Sequence, residues 1–310
     1  MSSSTSNFPI RGLVDTAALM KIGSLELRAK VVMEGFQRGL HRSPFHGFSV
    51  EFSEYRPYVP GDDVRFLDWR LYARSDRDYV KKFEDETNLR CHLVVDQSGS
   101  MSYGSLGWRK ADYAATLAAT LAHFLDAQGD AVGLVTFTDH ITEHLPPRHR
   151  PGHLRRVLIG LERSSDGPSS ELAKPLAEVA GLVSRRGLLV LISDLLAPAG
   201  DLERQLGALA ASGHELVIFQ LLDPAERSFT FEDGAPAVFR DLESGRQLFI
   251  DPQAARGGYQ RALAAHLEMI AGACRRWGVT HHLFSTDQAL DLALLGFLGR
   301  RRRGGEGRAA

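Results

Sequence analysis

The stretch Leu93-Val94-Val95-Asp96-Gln97-Ser98-Gly99-Ser100-Met101 decides the fold class of this chain. A short apolar run ends here in one carboxylate and, at alternate positions, two hydroxyl groups. Strand, polar turn and then helix is the arrangement by which α/β proteins place reactive groups at the carboxyl end of a strand. Asp96, Ser98 and Ser100 offer hard oxygen donors, the ligand type that Mg²⁺ prefers, although such residues also cap helices.

Composition places few constraints on the partners of the chain. The 310 residues carry a net charge of -1, so no global field favours nucleic acid or an anionic membrane. Residues 1–14 are expected to be a disordered leader that lacks the layout of a signal peptide. No apolar window approaches the roughly 18 residues of a membrane helix. We therefore expect a cytoplasmic protein without membrane insertion, with Cys91 and Cys274 as reduced core thiols.

A charged and aromatic segment precedes the deciding stretch. Residues 15–89 are predicted to form an N-terminal amphipathic helix, interrupted near Gly23, followed by a β-rich extension. Residues 51–90 contain 8 Lys or Arg and 10 Asp or Glu, a balance that suits an internal Arg–Asp network better than phosphate binding. This segment is either a solvated surface or an ordered docking platform.

From residue 90 to residue 298, strand-like and helix-like segments alternate. Such alternation predicts a mostly parallel sheet flanked by helices, in a Rossmann-like α/β architecture. A β-hairpin insertion is expected at about residues 229–250, and residues 299–310 are expected to be a disordered basic tail. Asp194 ends the apolar run 187–192, as Asp96 ends its own run, so the two carboxylates are predicted to share one edge of the sheet.

A third loop, residues 167–172, brings further hydroxyl groups to the same edge. Two carboxylates and three hydroxyls would then surround one divalent ion, with water in the remaining positions and one position open to a partner's carboxylate. Either Ser169 or Ser170 could be the hydroxyl from this loop. The predicted ligands of Mg²⁺ (or Mn²⁺) are Asp96, Ser98, Ser100, Ser170 and Asp194.

These motifs resemble a known family. Asp96-Gln97-Ser98-Gly99-Ser100 matches the Asp-x-Ser-x-Ser signature of the metal-ion-dependent adhesion site in von Willebrand factor A domains. The upstream motifs narrow the resemblance to the bacterial domain of unknown function 58 family, DUF58, which implies a von Willebrand factor A-like fold over residues 15–298. The family pattern has a threonine where this chain has Ser170, or Ser169. The upstream motifs are Glu51-Phe52, Arg56-Pro57-Tyr58, Pro60-Gly61-Asp62-Asp63, Arg65, Asp68-Trp69 and Ala73-Arg74.

The resemblance implies a non-catalytic, metal-dependent interaction protein. Its partner would be a MoxR-type AAA+ ATPase, and a client protein could supply the Asp or Glu that completes the metal site, in chaperone-like assembly or metal insertion. The charged segment would provide a second contact surface. The candidates there are Arg56, Tyr58, Asp62, Asp63, Arg65, Asp68, Trp69 and Arg74.

Other functions are open to test. A Mg²⁺-dependent phosphate-ester hydrolase is one alternative, although a phosphoaspartyl enzyme would have a second carboxylate where Ser98 stands. A scaffold with a vestigial metal site is another. His144, His149 and His153 flank a Pro-rich loop, so a zinc site formed by these three residues is a further alternative. The chain has neither a Gly-x-x-x-x-Gly-Lys loop nor a Gly-x-Gly-x-x-Gly loop, so ATP hydrolysis and dinucleotide binding are not indicated.

Overall fold

The computed structural model describes residues 14–42, 55–57, 79–81, 89–163, 172–183, 186–230, 235–243, 245–291 and 294. Contacts divide the chain into one unit of residues 1–39 and 89–310 and a second unit of residues 40–88. The N-terminal helices therefore belong to the same unit as the central sheet. The sequence instead predicts that they lie, within residues 15–89, in the same region as the charged segment.

In the second unit, two short strands are described. Strand β1 (Tyr55–Pro57) pairs antiparallel with β2 (Tyr79–Lys81), so that Arg56 lies opposite Val80. The other candidates for the second contact surface lie outside the described residues. These are Tyr58, Asp62, Asp63, Arg65, Asp68, Trp69 and Arg74.

A six-stranded sheet forms the centre of the first unit. Its strands are β3 (Arg90–Asp96), β4 (Ala131–Phe137), β5 (Ile141–Arg148), β6 (Leu188–Ser193), β7 (Glu215–Leu222) and β10 (Thr280–Ser285). Their order is β10-β7-β6-β3-β4-β5, and only the pairing of β4 with β5 is antiparallel. The predicted α/β class with a mostly parallel sheet is confirmed.

The strand order places a topological switch at β3. The chain runs from β3 outward to β4 and β5, and then crosses back to β6 on the other side of β3. Connections leave β3 and β6 in opposite directions, which opens a crevice at the carboxyl ends of these two strands. Ligands of open α/β sheets lie in such crevices.

Helices surround the sheet. They are α1 (Thr16–Met20), α2 (Leu25–Arg42), α3 (Lys110–Ala127), α4 (His153–Glu162), α5 (Ala173–Leu182), α6 (Ala199–Ala211), α7 (Pro224–Ser228) and α8 (Pro252–Trp277). Residues of α5, α6 and α8 share one buried cluster with alternate strand residues such as Val94 and Leu191. Helix α3 packs on β3, β4, β6 and β7.

The predicted break near Gly23 separates α1 from α2. Phe36 of α2 meets Phe124 of α3 edge to face, with ring centroids 5.9 Å apart, and both side chains are buried. Burying a Phe side chain stabilises a fold by about 1.5–3 kcal/mol. Together these contacts hold α2 on α3. Cys91 and Cys274 are both buried and form no disulfide, in agreement with the predicted core thiols.

The predicted hairpin insertion is formed by β8 (Ala237–Arg240) and β9 (Gln247–Ile250). Its turn is closed by a bond from the Gly245 amide to the Asp241 carbonyl, 2.9 Å, and Gly245 has φ of +72°. Phe239 stacks on Phe229 at 5.9 Å, which attaches the hairpin to the end of α7. The hairpin comes after β7 and α7 in the chain, and this stacking contact fixes its position at the end of α7.

Candidate functional site

Two buried carboxylates lie at the ends of neighbouring strands. Asp96 is the last residue of β3, and Asp194 directly follows β6; their exposed fractions are 0% and 1%. The parallel register pairs Val95 with Ile192, which sets Asp96 beside Ser193. The Ser193 hydroxyl donates to Asp96 Oδ2 at 2.5 Å. The pairing of β3 with β6 therefore positions both carboxylates.

The loop after β3 folds back on Asp96. The Ser98 amide donates to Asp96 Oδ1 at 2.9 Å, and a 3₁₀ turn over Gly99–Ser102 follows. This turn brings the hydroxyl oxygens of Ser98 and Ser100 within 3.2 Å of each other. The Ser100 side chain also contributes to lowering the pKa of Asp194. Four of the five predicted metal ligands thus meet at one edge of the sheet.

The remaining predicted ligand, Ser170, lies outside the described residues, as does its alternative Ser169. The first described residue after that loop is Leu172, which is buried and precedes α5. The choice between the two serines remains a prediction.

Lys110 is the main feature of the site that the sequence interpretation missed. It is the first residue of α3, and its side chain is wholly buried. Its ammonium Nζ donates to Asp194 Oδ2 at 2.8 Å and to Glu226 Oε1 at 2.5 Å. An isolated buried charge costs several kcal/mol, so the two carboxylates are needed to hold this ammonium. A lysine that opens an Ala-rich apolar helix was the available signal.

The surroundings shift the pKa values of these three groups in different directions. Burial, and next the charge of Asp194, raises the pKa of Asp96 from 3.8 to about 7, against the hydrogen bonds from Ser193 and Ser98. Burial also acts to raise the pKa of Asp194, but the charge and hydrogen bond of Lys110 outweigh it and lower that pKa. Burial likewise acts to lower the pKa of Lys110, and the attraction of Asp194 and Glu226 raises it overall. Asp194 is therefore compensated by Lys110, whereas none of the ion pairs among the described residues involves Asp96.

The charge balance of the site is negative. Lys110 pairs with Asp194 and Glu226, and Asp96 lies near Asp194, so these three carboxylates exceed the one ammonium by two negative charges when all are ionised. A divalent cation would neutralise this excess and favour the ionised form of Asp96. The donor set of carboxylate and hydroxyl oxygens is of the type that Mg²⁺ or Mn²⁺ prefers, and Asp96, Ser98 and Ser100 would provide the direct oxygens if such an ion were bound.

A second group of contacts joins the end of β7 to the segment between β3 and α3. Asp223 and Glu226 form a capping box at the start of α7. Asp223 also accepts bonds from Ser105, from its hydroxyl at 2.5 Å and from its amide at 2.9 Å. Glu226 is thereby fixed in the position from which it reaches Lys110. Neither acidic residue was singled out from the sequence, because a capping box at a strand end is a common structural motif.

Comparisons with known proteins identify the family. The family described as "Protein of unknown function DUF58" matches residues 54–269. An uncharacterized protein of Mycobacterium tuberculosis, Rv1480, is 32% identical over 301 residues, which cover 95% of this chain and 93% of the relative. The chain belongs to the DUF58 family. A second relative, the uncharacterized protein MAV169 of Mycobacterium avium, is 33% identical over 159 residues, covering 51% of this chain and 91% of its own length.

Two solved structures are similar to this DUF58 chain. One is the conserved hypothetical protein BatB of Bacteroides thetaiotaomicron, with 14% identity, a TM-score of 0.44, and coverage of 69% of this chain and 98% of that chain. The other is an aerotolerance-related membrane protein of Bacteroides fragilis, with 16% identity, a TM-score of 0.45, and coverage of 66% and 94%. In the DUF58 chain itself, none of the helices within the described residues has the length and apolarity to cross a membrane.

The hairpin insertion of this DUF58 chain touches the candidate site. Glu243, in the turn between β8 and β9, accepts a hydrogen bond from the Ser100 amide through its Oε1, at 2.8 Å. The backbone approaches closely at the same place, because a Cβ on Gly99 would lie 2.6 Å from the Leu242 carbonyl oxygen. The sequence predicted the hairpin but not that its turn reaches the loop that follows β3.

Asp96 and Ser98 also line a cavity of about 230 Å³. Three guanidinium side chains contribute to its lining, those of Arg28, Arg109 and Arg163. Arg109 pairs with Asp112 and Arg163 with Glu143, whereas Arg28 Nε is buried without a hydrogen-bond partner among the described residues. Burial lowers the pKa of Arg28. The lining also includes the acidic residues Asp96, Asp112 and Glu162, so the formal charges of the lining side chains balance.

The histidines of the Pro-rich loop do not form a zinc site. His153 is buried, and its Nε2 bonds to the Val132 carbonyl, while His149 pairs with Asp126 on the surface. Within the described ranges, no group of three or more His, Cys, Asp or Glu side chains could hold a metal ion. The candidate site at Asp96 depends instead on two carboxylates supplemented by hydroxyl groups.

Proposed function

We propose that this DUF58 protein is a non-catalytic, metal-dependent protein-interaction module. Mg²⁺, or Mn²⁺, would be held by Asp96, Ser98, Ser100, Ser170 and Asp194. A carboxylate of a partner would provide the last ligand. The proposal rests on one observation above the others: Asp96 is a fully buried carboxylate whose charge the described side chains leave uncompensated, beside two hydroxyl groups and a second carboxylate.

The residues of the chain would have distinct roles in this site. Asp96 supplies a charged oxygen, oriented by the hydroxyl of Ser193 and the amide of Ser98. The hydroxyls of Ser98 and Ser100 supply neutral oxygens on one side. Asp194, held by Lys110, supplies the second negative charge behind the Ser100 hydroxyl. The bound ion would supply a strong attraction for an anionic oxygen arriving from outside.

The proposed partner is a MoxR-type AAA+ ATPase, with a client protein as a further source of the Asp or Glu. The resemblance to the family carries this part of the proposal. Because such an ATPase consumes ATP, the two proteins would act in the cytoplasm, in chaperone-like assembly or metal insertion.

Capture of the ATPase on the immobilised full chain tests the proposal. We expect capture in Mg²⁺, loss of capture in EDTA, and loss in Asp96→Asn, which keeps the shape of the side chain but removes its charge. Asp201→Asn, which removes an exposed carboxylate from α6, is the matched control and should behave as wild type. Equal capture by wild type and Asp96→Asn, with and without EDTA, would rule out the metal bridge.

A second candidate function is a Mg²⁺-dependent phosphate-ester hydrolase. The observation that favours it is the pKa of Asp96, about 7, because general bases titrate near the working pH. Purified protein should be screened against phosphate monoesters and diesters with Mg²⁺. Turnover that disappears in Asp96→Asn would favour the hydrolase over the interaction module.

The third candidate is a scaffold with a vestigial site. The ion pair of Lys110 with Asp194 favours it, since an internal cation already compensates one of the two predicted acidic ligands. This candidate requires that Mg²⁺ and Mn²⁺ leave the melting temperature unchanged.

A further inference from the structure

The cavity beside the end of β3 has the dimensions of a site for a small ligand. It is lined by residues from the start of α2, the start of α3 and the end of α4. Its volume of about 230 Å³ is below the range of about 300–1,000 Å³ for drug-sized ligands, so it suits a molecule of few heavy atoms. The lining side chains that are not already paired decide the chemistry of that molecule.

Arg28 of α2 lines the cavity and forms no ion pair with the other described residues. Its Nη1 donates to the thioether sulfur of Met20 at 3.4 Å, a weak acceptor, and its Nε is buried without a hydrogen-bond partner. Burial lowers the pKa of Arg28 in spite of the attraction of Asp112 and Glu162. A buried donor without an acceptor costs free energy, and a carboxylate is the acceptor that best fits the planar guanidinium group.

The other two guanidinium groups of the lining are already engaged. Arg109 pairs with Asp112, at 3.0 Å between Nη2 and Oδ1, and Arg163 Nη1 pairs with Glu143 Oε2 at 2.7 Å. The first of these pairs also engages one of the acidic side chains of the lining. Among the arginines that line the cavity, Arg28 is therefore the one available to the carboxylate of a ligand.

The remaining acidic side chains of the lining favour a positive group. Glu162 is the last residue of α4, is exposed, and its carboxylate forms no ion pair within the described ranges. The carboxyl end of a helix also attracts positive charge. Asp96 is a second carboxylate on the lining. A ligand that carries one carboxylate and one ammonium matches Arg28 on one side and these acids on the other.

We propose that this cavity binds a small zwitterion, a free amino acid whose carboxylate accepts hydrogen bonds from Arg28 and whose ammonium faces Glu162. Because such a ligand is neutral overall, it leaves the charge balance of the lining unchanged. The inference goes beyond the proposed function, since neither Arg28 nor Glu162 belongs to the predicted metal ligands and no ion is required for binding.

NMR of the full chain with isotope-labelled arginine tests the inference, because the Nε–H group of Arg28 reports directly on its acceptor. The signal is assigned by its absence in Arg28→Lys. Glycine, β-alanine and γ-aminobutyrate, which differ in the spacing of their charged groups, are added in the presence of EDTA. At least one is expected to shift the signal with a dissociation constant of about 1 mM or lower. An equimolar mixture of acetate and methylammonium should not saturate the site in this range, because its two groups are not linked.

Variants identify the groups that recognise the ligand, with affinity measured by calorimetry. Arg28→Lys keeps the charge but loses the bidentate geometry, and should weaken binding by about tenfold or more. Glu162→Gln should weaken it by a smaller factor, about threefold, because that carboxylate is exposed. The matched controls are Arg204→Lys on α6 and Glu178→Gln on α5, which alter exposed side chains outside the cavity lining and should bind as wild type does.

The outcomes are decisive in both directions. A shift caused by the linked zwitterion, and weakened in Arg28→Lys and Glu162→Gln but in neither control variant, supports the inference. Absence of a saturable shift with all three amino acids would overturn it, as would equal affinity of Arg28→Lys and wild type. A response to acetate alone as strong as that to the amino acids would also overturn it. All measurements are made without metal, so they succeed or fail independently of the proposed metal-dependent function.

Discussion

The two carboxylates at the sheet edge occupy similar positions and have opposite electrostatic environments. Asp96 and Asp194 follow neighbouring strands, and both are fully buried. Asp194 has an ammonium at 2.8 Å, whereas Asp96 accepts a hydroxyl and an amide proton. Burial therefore raises the pKa of Asp96 to about 7, while Lys110 holds that of Asp194 below its ordinary value. Equivalent places in a fold do not fix the chemistry of the groups there; the nearest charge does.

Removing the ammonium group of Lys110, which compensates Asp194, should have the largest effect on the free energy of unfolding. Lys110→Met leaves Asp194 and Glu226 buried without their partner, and breaking a buried ion pair costs about 3–5 kcal/mol. We expect a loss of that size in the free energy of unfolding, measured by urea denaturation at pH 7. Lys30→Met, which breaks the exposed pair with Glu26, should cost less than about 1 kcal/mol. A loss below 1 kcal/mol for Lys110→Met would contradict the buried network.

The second largest effect is expected in the pH dependence of stability, through the titration of Asp96. The pKa of Asp96 is raised in the folded state, so the folded chain binds a proton more tightly than the unfolded chain between about pH 4 and pH 7. Without metal, this group makes the protein less stable as pH rises through that window, by roughly 1 kcal/mol per pH unit, and has no further effect above it. Paired urea titrations of wild type and Asp96→Asn isolate the contribution. A difference between them that does not change from pH 4 to pH 7 would show that Asp96 titrates normally.

Addition of metal should compensate Asp96 as Lys110 compensates Asp194. Mg²⁺ at about 100 times its dissociation constant is expected to stabilise the protein by about 2.7 kcal/mol, because only the folded chain assembles the ligands. EDTA should reverse the gain, and Ser98→Ala combined with Ser100→Ala should reduce it. Thermal unfolding with and without the ion measures this effect. An equal shift in Asp96→Asn and wild type would place the ion elsewhere.

The smallest change concerns the hydroxyl that bonds to Asp96. The Ser193 hydroxyl lowers the pKa of Asp96, so Ser193→Ala should raise that pKa further and cost about 1 kcal/mol at pH 7. Carboxyl titration followed by NMR on the metal-free protein would detect the change. Ser105→Ala, which removes a hydroxyl from Asp223, is the comparison variant and should leave the titration of Asp96 unaltered.

The sequence was sufficient to predict the positions of Asp96 and Asp194. Each ends an apolar run, and parallel strands bring such ends to one edge regardless of the details of packing. The partners of these residues could not be predicted in this way. Lys110 and Asp194 are 84 residues apart, Lys110 and Glu226 are 116 apart, and Ser100 and Glu243 are 143 apart. Only the packing of α3, α7 and the hairpin on the sheet decides which of the many charged side chains meet.

The Lys110 network also has a consequence for the order in which the chain folds. Its three charged groups lie at the start of α3, directly after β6 and in the first turn of α7, so the network can form only after β3, β6 and β7 have assembled. Contacts completed after the folding transition state stabilise the native state by slowing unfolding rather than by speeding folding. Loss of Lys110 should therefore shorten the lifetime of the folded protein, seen as a faster unfolding rate in stopped-flow experiments, with little change in the refolding rate.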